Sequence, residues 1–382
     1  MTGPRLRETD EAPIGRRVSR WRVRRRMTQQ MLADRLGKSK SWVDKVERGV
    51  RALDRYSVIQ EIAEVLRVDP AVLLDPRRSV PTAASGLDGV EAVRAALARY
   101  HRPPSPTAEA EQVRRHVAHA WLTYQHAHYA QLLRALPALL DAAHGTPELL
   151  LPAYRITASV LVKLGEADLA WLAADRAVAT ANDDPTRAAT ASIAVAQALR
   201  ALGRHRLART AALAAVDTTT DPGVRGTLLV QAGIAAAGAD DRHHADDLLG
   251  RAAALADRGT PDNDPHHVGF CPTVVLLGRF LAALALGDDA EAVRRHQHAV
   301  RTDGWRRLPA EHRAAHLVDA AGAQVATGDL TAAGRALVDA DRIAPAEVRC
   351  RPVARTLLAD IARLDPAAAD VARIAALVGL TR

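Results

Sequence analysis

The sequence predicts an all-α protein in which a small N-terminal helical domain precedes a long array of helical hairpins. Aromatic residues make up only 3% of the chain and hydrophobic residues 48%, with alanine, leucine, arginine and valine dominant. This composition favours helices that pack through small side chains, because strands draw on aromatic and β-branched residues. The 382 residues suffice for two or three domains of roughly 150 residues each.

Five short helices are predicted near the N-terminus. The first begins at Ile14, since Ile14, Val18 and Trp21 recur at helical spacing. Thr28 and Ser39 are suitable N-caps for the next two, because each hydroxyl can accept a hydrogen bond from a free backbone N–H. The other predicted helices cover residues 29–36, 40–48, about 57–66 and about 70–74. Together they are enough to bury one small core.

The second and third of these helices have the spacing of a helix-turn-helix. Counted from Gln29 as the first position, Ala33 is the fifth and Gly37 the ninth, while Val43 and Val46 are the fifteenth and eighteenth. A small fifth residue lets the helices cross closely, the ninth forms the tight turn, and the two valines seat the second helix on the first.

The stretch TQQMLADRLGKSKSWVDKVERGVR resembles the DNA-binding domain of the Xre family, the phage-repressor-like transcriptional regulators. It is similar to that family's pattern S-Q-x-x-L-A-x-x-x-G-x-S-x-S-x-I-S-x-I-E-x-G-x-R, from which Lys38, Trp42 and Asp44 depart. The resemblance covers about residues 14–75. It implies that the second of the paired helices lies in the major groove of DNA while the first meets the backbone.

The family pattern places four side chains of the third helix toward base edges: Lys40, Ser41, Asp44 and Lys45. Their spacing agrees, because positions i, i+1, i+4 and i+5 share one helix face. Lysine can donate to guanine, serine to a base or a phosphate, and aspartate can accept from cytosine. Asp44 could equally pair with Lys40 one turn back.

A second set of residues is expected to contact the sugar-phosphate backbone. The family pattern puts Gln29 at the phosphate-facing start of the second helix, and Arg51 and Arg55 follow the third helix where this fold often meets DNA. The full set is Thr28, Gln29, Ser39, Arg51, Arg55, Arg16 and Arg17. Glu47 is expected to pair with an arginine of the first helix. Trp42 is expected to pack against the second helix or the sugars, and the alternative is a contact with the methyl group of thymine.

The positive charge of the chain lies in this N-terminal part. Residues 1–80 contain 19 Lys or Arg against 11 Asp or Glu, which accounts for the whole net charge of +8. The rest of the chain holds 33 of each sign. Charge concentrated in one small domain is typical of a protein that binds a polyanion such as DNA. The alternative is that it only keeps the domain soluble.

The remaining chain divides into a short arm, a linker and a repeat region. Residues 1–13 are an N-terminal arm, and residues 76–108 are a proline-interrupted linker with one helix over about 90–100. From residue 109 to 382 the pattern is helical, and a glycine recurs between helical stretches at Gly165, Gly203, Gly287 and Gly328. Alanine follows five residues later at Ala170, Ala208, Ala292 and Ala333, and twelve residues later at Ala177, Ala215, Ala299 and Ala340.

A fifth repeat fits this frame if Asp240 takes the place of the glycine, with Ala245 and Ala252 after it. A glycine permits the sharp turn, and the alanines let the neighbouring helix approach closely. The segments GEADLA, GRHRLA, GDDAEA and GDLTAA resemble the tetratricopeptide repeat. That resemblance implies a solenoid of helical hairpins with a long concave face.

An Xre-type head joined to such repeats resembles regulators of Gram-positive bacteria, some of which bind small signalling peptides, and the Ala- and Arg-rich composition is similar to actinobacterial proteins. The resemblance implies that residues 109–382 dimerise and sense a peptide or a small molecule. The alternative is a solenoid that only dimerises. The candidate residues of the ligand groove are Tyr124, His128, Tyr154, Arg155, Lys163 and Arg200.

Several other functions are not expected. The pairs His312 and His316, and His116 and His119, have chelating spacing but no third ligand of a recognised pattern. The sequence contains no Gly-rich phosphate loop and no G-x-S-x-G motif, and its two cysteines form no metal or disulfide pattern. We therefore expect no catalysis, no metal and no cofactor. Without a long apolar run or an apolar leader, the protein is expected in the cytoplasm and not in a membrane.

The sequence as a whole predicts a sequence-specific DNA-binding transcriptional regulator, acting as a homodimer on double-stranded DNA. The competing hypothesis is an interaction scaffold whose basic head binds a protein or another polyanion.

Overall fold

The computed structural model describes residues 14–25, 27–51, 53, 56–66, 83–99, 109–181, 183–259, 264–364 and 369–380. Within these ranges helices alternate with turns and short connections, and no strand occurs. The all-α prediction is confirmed. The chain divides into two compact units, one formed by residues 1–84 with 372–382 and the other by residues 85–371. None of the described helices has the length and apolar character needed to cross a bilayer.

Four helices of the first unit correspond to predicted ones. Each start or end that was predicted lies within one residue of the observed one. The four helices are α1 (Ile14–Arg24), α2 (Gln29–Arg35), α3 (Lys40–Glu47) and α4 (Tyr56–Leu66). Oγ1 of Thr28 accepts from the backbone N–H of Met31 at 3.1 Å. Oγ of Ser39 accepts from the backbone N–H of Trp42 at 3.1 Å. Both predicted N-caps are therefore confirmed, while the helix predicted over about 70–74 lies outside the described residues.

All four helices contribute to the core of the first unit. The buried apolar side chains are Val18, Met27, Leu32, Ala33, Val43, Ile62, Ala63 and Leu66. Ala33 is fully buried between the paired helices, and Gly37 has a φ of +62° at the turn. The small fifth residue and the turn glycine of the helix-turn-helix therefore have the structural roles that the spacing predicts.

The second unit is an array of antiparallel hairpins. Along its described residues the paired helices are α6 (Ala110–Gln125) with α7 (Tyr129–Ala143), α8 (Pro147–Lys163) with α9 (Ala167–Ala179), α10 (Pro185–Ala201) with α11 (His205–Val216), α12 (Pro222–Gly238) with α13 (Arg242–Ala256), α14 (Pro272–Ala285) with α15 (Asp289–Ala299), and α16 (Ala310–Ala326) with α17 (Leu330–Ile343). The other elements are α5 (Ala83–Leu97), a 3₁₀ turn (Asp303–Arg307), α18 (Pro345–Arg349), α19 (Pro352–Leu364) and α20 (Ala369–Leu377). The first helices of the first five hairpins contact one another in order, which makes the array a solenoid.

The predicted repeat frame describes five of these hairpins. The turn residues with positive φ are Gly165 (81°), Gly203 (69°), Asp240 (62°), Gly287 (71°) and Gly328 (85°). The alanines five and twelve residues later are at most 6% exposed in every case. Asp240 therefore takes the glycine place, as predicted. The first hairpin turns at Ala127, also at positive φ (56°), and has Leu132 and Leu139 at the two packing positions, so the glycine and alanine pattern does not reveal it.

The helix assigned to the linker packs on the hairpin array. It begins at Ala83, seven residues before the predicted start, and ends at Leu97. Val93 and Leu97 are fully buried, and a Cβ added at Gly89 would lie 3.1 Å from Cβ of Leu133 in α7. Its apolar stripe therefore makes α5 part of the second unit from residue 85 onward, because a helix with a buried stripe is not a free spacer.

The array curves until its ends meet. α6 of the first hairpin contacts α16 of the sixth. Lys163, at the end of α8, forms ion pairs with Glu311 in α16 and Glu347 in α18. The concave face therefore lines a partly open cavity.

Replacing Gly15 by alanine should loosen the first unit. α1 crosses α3 so closely that a Cβ at Gly15 would lie 1.8 Å from the carbonyl oxygen of Val46. Overpacking of this kind costs about 1–3 kcal/mol. Hydrogen exchange of the backbone amides of α1 and α3 should therefore become faster in the Gly15→Ala variant.

Gly250→Ala is the matched control, because Gly250 lies inside α13 and a Cβ there meets no atom within 4 Å. Alanine is the better helix former by about 0.5–1 kcal/mol, so exchange in α13 should slow. Unchanged exchange in α1 and α3 of Gly15→Ala would show that this helix crossing tolerates a methyl group, contrary to our expectation.

Candidate functional site

One face of α3 packs against the core of the first unit, and the opposite face is open to solvent. Val43 and Val46 are each 1% exposed. Lys40, Ser41 and Lys45 are exposed, as the sequence analysis predicts. Counting the described residues, neither lysine has a carboxylate within 4.0 Å, so their charges are not neutralised inside the unit. This face can therefore present two positive charges and a hydroxyl to a polyanion.

Asp44 lies on the same helix and is half-buried. Its carboxylate is 2.8 Å from the guanidinium of Arg48, one turn later, and both side chains are well exposed. The pair with Lys40 that the sequence left open is not formed, because Asp44 pairs with Arg48 instead. The other alternative, a contact of Asp44 with a base edge, stays a prediction. Exposed ion pairs of this type contribute about 0–1 kcal/mol, so Arg48 could release Asp44 to another donor at low cost.

Glu47 joins three helices of the helix-turn-helix region. It is 7% exposed, and its carboxylate accepts hydrogen bonds from Arg22 (2.6 and 2.9 Å) and Ser19 (3.0 Å) in α1. It also accepts one from Nε2 of Gln29 in α2 at 2.9 Å. Burial alone would raise the pKa of Glu47, but the hydrogen bonds from Arg22 and Gln29 hold it below its ordinary value. The prediction that Glu47 pairs with an arginine of the first helix is confirmed.

The residues expected to contact the DNA backbone differ in how far their polar groups are already used within the protein. Gln29, expected to face phosphate, uses its amide group on Glu47. The Thr28 and Ser39 hydroxyls accept hydrogen bonds as N-caps, yet each is exposed and still has a proton to donate. Their positions at the starts of α2 and α3 are compatible with phosphate contact, because helix N-termini favour anions.

The arginines expected at the DNA backbone lie at the edges of this surface. Arg51 is exposed, with its Cζ 5.9 Å from the ring of Trp42. Trp42 packs against the apolar core of the unit. Arg16 is exposed and Arg17 is half-buried, whereas Arg55 lies outside the described residues.

The second unit contains a partly open cavity of about 570 Å³. Its polar lining consists of Tyr124, Ser159, Lys163, Gln197, Arg200, His205, Gln231, Glu311, His312, His316, Asp319 and Arg351. Its apolar lining includes Val162, Val230, Ile234, Val274, Leu277, Leu281 and Leu284. Cavities of about 300–1,000 Å³ with a few placed polar groups are typical of small-molecule sites.

A buried ion network forms part of the polar lining. The ammonium of Lys163 contacts the carboxylate of Glu311 and lies 3.2 Å from that of Glu347. Glu347 is fully buried, accepts a hydrogen bond from the hydroxyl of Tyr129 and pairs with Arg351 at 3.0 Å. Each charge of the network therefore has an opposite charge beside it, as buried charges require.

The network sets the protonation of its members. Burial would raise the pKa of Glu311, but Lys163 and then His312 hold it far below its ordinary value. Burial would lower the pKa of Lys163, but Glu311 and Glu347 raise it. Burial and the nearby carboxylates raise the pKa of the Tyr129 hydroxyl well above its ordinary value. At neutral pH the carboxylate of Glu311 and the ammonium of Lys163 are thus charged, and the phenol of Tyr129 is neutral.

Four side chains of the lining each have one buried polar atom without a hydrogen-bond partner: Nδ1 of His205, Oε2 of Glu311, Nδ1 of His312 and Nδ1 of His316. Oε2 of Glu311 and Nδ1 of His316 belong to side chains that are each 3% exposed. Nδ1 of His312 and Oε2 of Glu311 lie 3.0 Å apart, which is an ion-pair distance, so these two atoms have each other as polar neighbours. Buried polar groups that lack partners are costly, so a ligand or water that met them would be favoured.

Arg200 is the cation of the lining that no carboxylate neutralises. Its guanidinium donates one hydrogen bond, to Oε1 of Gln231 at 2.7 Å. Among the described residues no carboxylate oxygen lies within 4.0 Å of it, since Asp319 pairs with Arg351 at 3.1 Å instead. Burial lowers the pKa of Arg200 to about 10, and the distant charge of Asp319 opposes this only in part. The group therefore remains protonated at neutral pH.

A second, smaller cavity of about 90 Å³ adjoins α6, α8 and α10. The guanidinium of Arg155 lies 5.4 Å from the centre of the Trp121 ring, and the imidazole of His267 stacks on that ring at 5.1 Å. Arg155 also donates to the carbonyl oxygen of His266 at 2.7 Å. These contacts hold the connection before α14 against the first two hairpins.

The structure brings some of the predicted groove residues together and not others. Tyr124, Lys163 and Arg200 line the large cavity, and Arg155 lines the smaller one. His128 is exposed and Tyr154 is buried, and neither lines these cavities. The sequence analysis missed Glu311, Asp319 and Arg351, because nothing in the sequence indicates that α16 and α18 return to α8.

The histidines with chelating spacing do not form a metal-ligand group, and the described residues contain no cluster of three potential ligands. Nε2 of His316 lies 3.0 Å from Nδ1 of His296, on the neighbouring hairpin. Phe280 and Trp305 enclose His316, with ring centres 4.4 and 5.4 Å away. Burial, and then the nearby His296, lower the pKa of His316 to about 3.

Comparison with known proteins identifies the type of domain to which α3 belongs. Residues 13–75 match the family model described as a helix-turn-helix domain. This part of the chain is a helix-turn-helix domain. Its α2 and α3 are the paired helices, and the exposed face of α3 belongs to the second of them. No curated protein was found to match the chain.

Three solved structures are similar to the chain at low identity. Bacillus thuringiensis PlcR in complex with the peptide PapR7 and DNA is 9% identical, with 86% of this chain and 94% of that chain covered and a TM-score of 0.38. A Rap protein complexed with competence and sporulation factor is 12% identical, with 96% and 97% covered and a TM-score of 0.47. Streptococcus dysgalactiae SHP pheromone receptor Rgg2 is 14% identical, with 76% and 92% covered and a TM-score of 0.26. Likenesses this distant do not say what this chain binds.

Mild acid should destabilise the second unit through His316. In the unfolded chain His316 becomes protonated below about pH 6.5, whereas in the folded chain its pKa is about 3. Between these two pH values the unfolded state therefore binds more protons than the folded state. Stability should therefore fall as the pH falls, by about 2 kcal/mol from pH 7 to pH 5. Urea unfolding followed by circular dichroism at both pH values measures the difference.

A His316→Phe variant should lose this share of the acid sensitivity, because phenylalanine takes up no proton. His243→Phe is the control, since His243 is exposed and its loss should leave the pH response unchanged. Equal responses in wild type and His316→Phe would mean that His316 is protonated in the folded protein at pH 5.

Proposed function

We propose that this protein is a non-catalytic, sequence-specific DNA-binding regulator of transcription. The observation that carries the proposal is the solvent-exposed face of α3 in a domain that matches a helix-turn-helix model. Lys40, Ser41 and Lys45 project from this face, and the packing of Val43 and Val46 and the hydrogen bonds of Glu47 fix its orientation. A rigid helix with an exposed basic face suits the major groove.

The proposal also covers the family of each domain and the oligomeric state of the protein. The helix-turn-helix domain is of the Xre type, and the hairpins of the second unit are degenerate tetratricopeptide repeats of an actinobacterial protein. The active form is a homodimer whose two recognition helices reach half-sites roughly 34 Å apart, one turn of the double helix. Arg51, Arg16 and the caps Thr28 and Ser39 contact phosphates beside each half-site.

Lys40→Ala and Lys45→Ala should weaken binding to duplex DNA. Each lysine that contacts a phosphate or a base edge contributes to counterion release, so each loss should lower affinity roughly tenfold and flatten the salt dependence. Fluorescence anisotropy with genomic fragments selected by the purified protein, at two salt concentrations, measures both effects.

Arg206→Ala removes one exposed charge from α11 in the second unit and is the matched control. Its affinity and salt dependence should equal those of the wild type. Binding of DNA that ignores sequence and both lysine substitutions would instead favour the competing function, an interaction scaffold with a basic head.

We also propose that the second unit senses an effector in the 570 Å³ cavity. The buried nitrogens His205 Nδ1 and His316 Nδ1 support this, because a cavity built only for stability would have no reason to leave them without hydrogen-bond partners. An effector that binds here alters DNA affinity only as far as it prefers one arrangement of the protein over another. The alternative, a solenoid that only dimerises, predicts no response to any ligand.

Filling the cavity should abolish the response to an effector. Spent culture medium of the producing organism should change the affinity of the protein for its DNA and slow hydrogen exchange in α12, α14 and α16. Leu281→Trp places a large ring at the cavity wall and should remove both changes.

Leu207→Trp is the control, because Leu207 is 58% exposed and lies outside the cavity. It should respond as the wild type does. Full responses in Leu281→Trp, or none in the wild type, would contradict sensing in this cavity.

A further inference from the structure

We propose that the ligand of the large cavity carries a carboxylate on an apolar body, and that Arg200 binds this carboxylate. The inference rests on the proposed sensing function and adds the chemical class of the ligand. It depends on how the charges of the lining are distributed among their partners.

Both carboxylates that line the cavity, those of Glu311 and Asp319, are already paired with a cation other than Arg200. Glu311 contacts Lys163, and Asp319 lies 3.1 Å from Arg351. Glu347 lies between both cations, 3.2 Å from Lys163 and 3.0 Å from Arg351. A cationic ligand would therefore have to break an existing buried pair, and removing one partner of such a pair is strongly unfavourable.

Arg200 has the opposite character. A guanidinium has five N–H donors, and the single hydrogen bond to Gln231 leaves the other donors without a protein partner among the described residues. A carboxylate can accept two parallel hydrogen bonds from such a group, with a geometry that an alcohol or an amide does not match. The charge and the open donors together select an anion at this position.

The rest of the cavity selects the body of the ligand. Val230, Ile234, Val274, Leu277 and Leu281 line the same space as Arg200 and offer no polar side-chain atom. Burial of apolar ligand surface against these side chains contributes about 25 cal/mol per Å². A carboxylate attached to an aliphatic chain meets both requirements, whereas a sugar or a nucleotide would leave its hydroxyl groups against these apolar side chains.

Two sources can supply this chemistry, a free acyl carboxylate or the C-terminus of a short apolar peptide. Isothermal titration of the full-length wild-type protein distinguishes them with five probes. These are decanoate, decanol, decylammonium, and the tetrapeptide Leu-Val-Leu-Leu with a free or an amidated C-terminus.

At least one of the two carboxylates should bind, roughly tenfold or more tightly than its neutral counterpart, and decylammonium should bind weakest. The carboxylate that binds identifies the source. Arg200→Gln should reduce this preference to near unity, and Arg200→Lys should retain part of it, because lysine keeps the charge but not the paired donors. Arg225→Gln, which alters an exposed ion pair with Asp217, should bind like the wild type.

The wild-type comparison tests the proposal even if Arg200→Gln fails to fold. It is overturned if the neutral or cationic probes bind as tightly as the carboxylates, or if neither carboxylate binds at millimolar concentration. A folded Arg200→Gln that keeps the full preference overturns it as well.

Measuring DNA affinity with the same probes and with spent medium separates this inference from the sensing proposal. A response to medium without carboxylate binding overturns the ligand class and leaves sensing in place. Carboxylate binding at Arg200 upholds the ligand class, even if DNA affinity does not change and sensing fails.

Discussion

The ammonium of Lys163 lies between two buried carboxylates that come from the far end of the hairpin array, Glu311 in α16 and Glu347 in α18. Removing one partner from such a buried pair costs about 3–5 kcal/mol, because the remaining charge keeps its desolvation penalty. The second and sixth hairpins are thereby held together. Because the ends of the array meet, its concave face lines a partly open cavity with both polar and apolar side chains.

The helix-turn-helix domain has a buried carboxylate in a similar role. Glu47 accepts hydrogen bonds from Arg22 and Ser19 of α1 and from Gln29 of α2, while it belongs to α3 itself. A single side chain thus connects three helices of this domain. The cost of its burial is offset by these hydrogen bonds, which also keep it ionised.

These two networks divide the polar residues of the chain into those that hold the structure and those that remain open to partners. Glu47, Arg22 and Gln29 are used within the first unit, while Lys40 and Lys45 are not. In the second unit Lys163 and Arg351 are neutralised, while Arg200 has donors left over. The open groups lie on the exposed face of one helix and on the wall of one cavity, and these are the two places where the proposed functions act.

The sequence by itself determined what depends on local spacing. The caps Thr28 and Ser39, the paired helices they begin, and five hairpin turns including that at Asp240 follow from residues within one or two helical turns of each other. The cavity could not be derived in this way, because Lys163, Arg200, Glu311 and Arg351 converge only when small differences in packing, accumulated over six hairpins, return the array to its start. The docking of α5 also depended on a neighbour distant in the chain, Leu133 of α7. Backbone conformation is governed by adjacent residues, whereas the meeting of distant charges is decided by the curvature of the whole array, which only the tertiary structure shows.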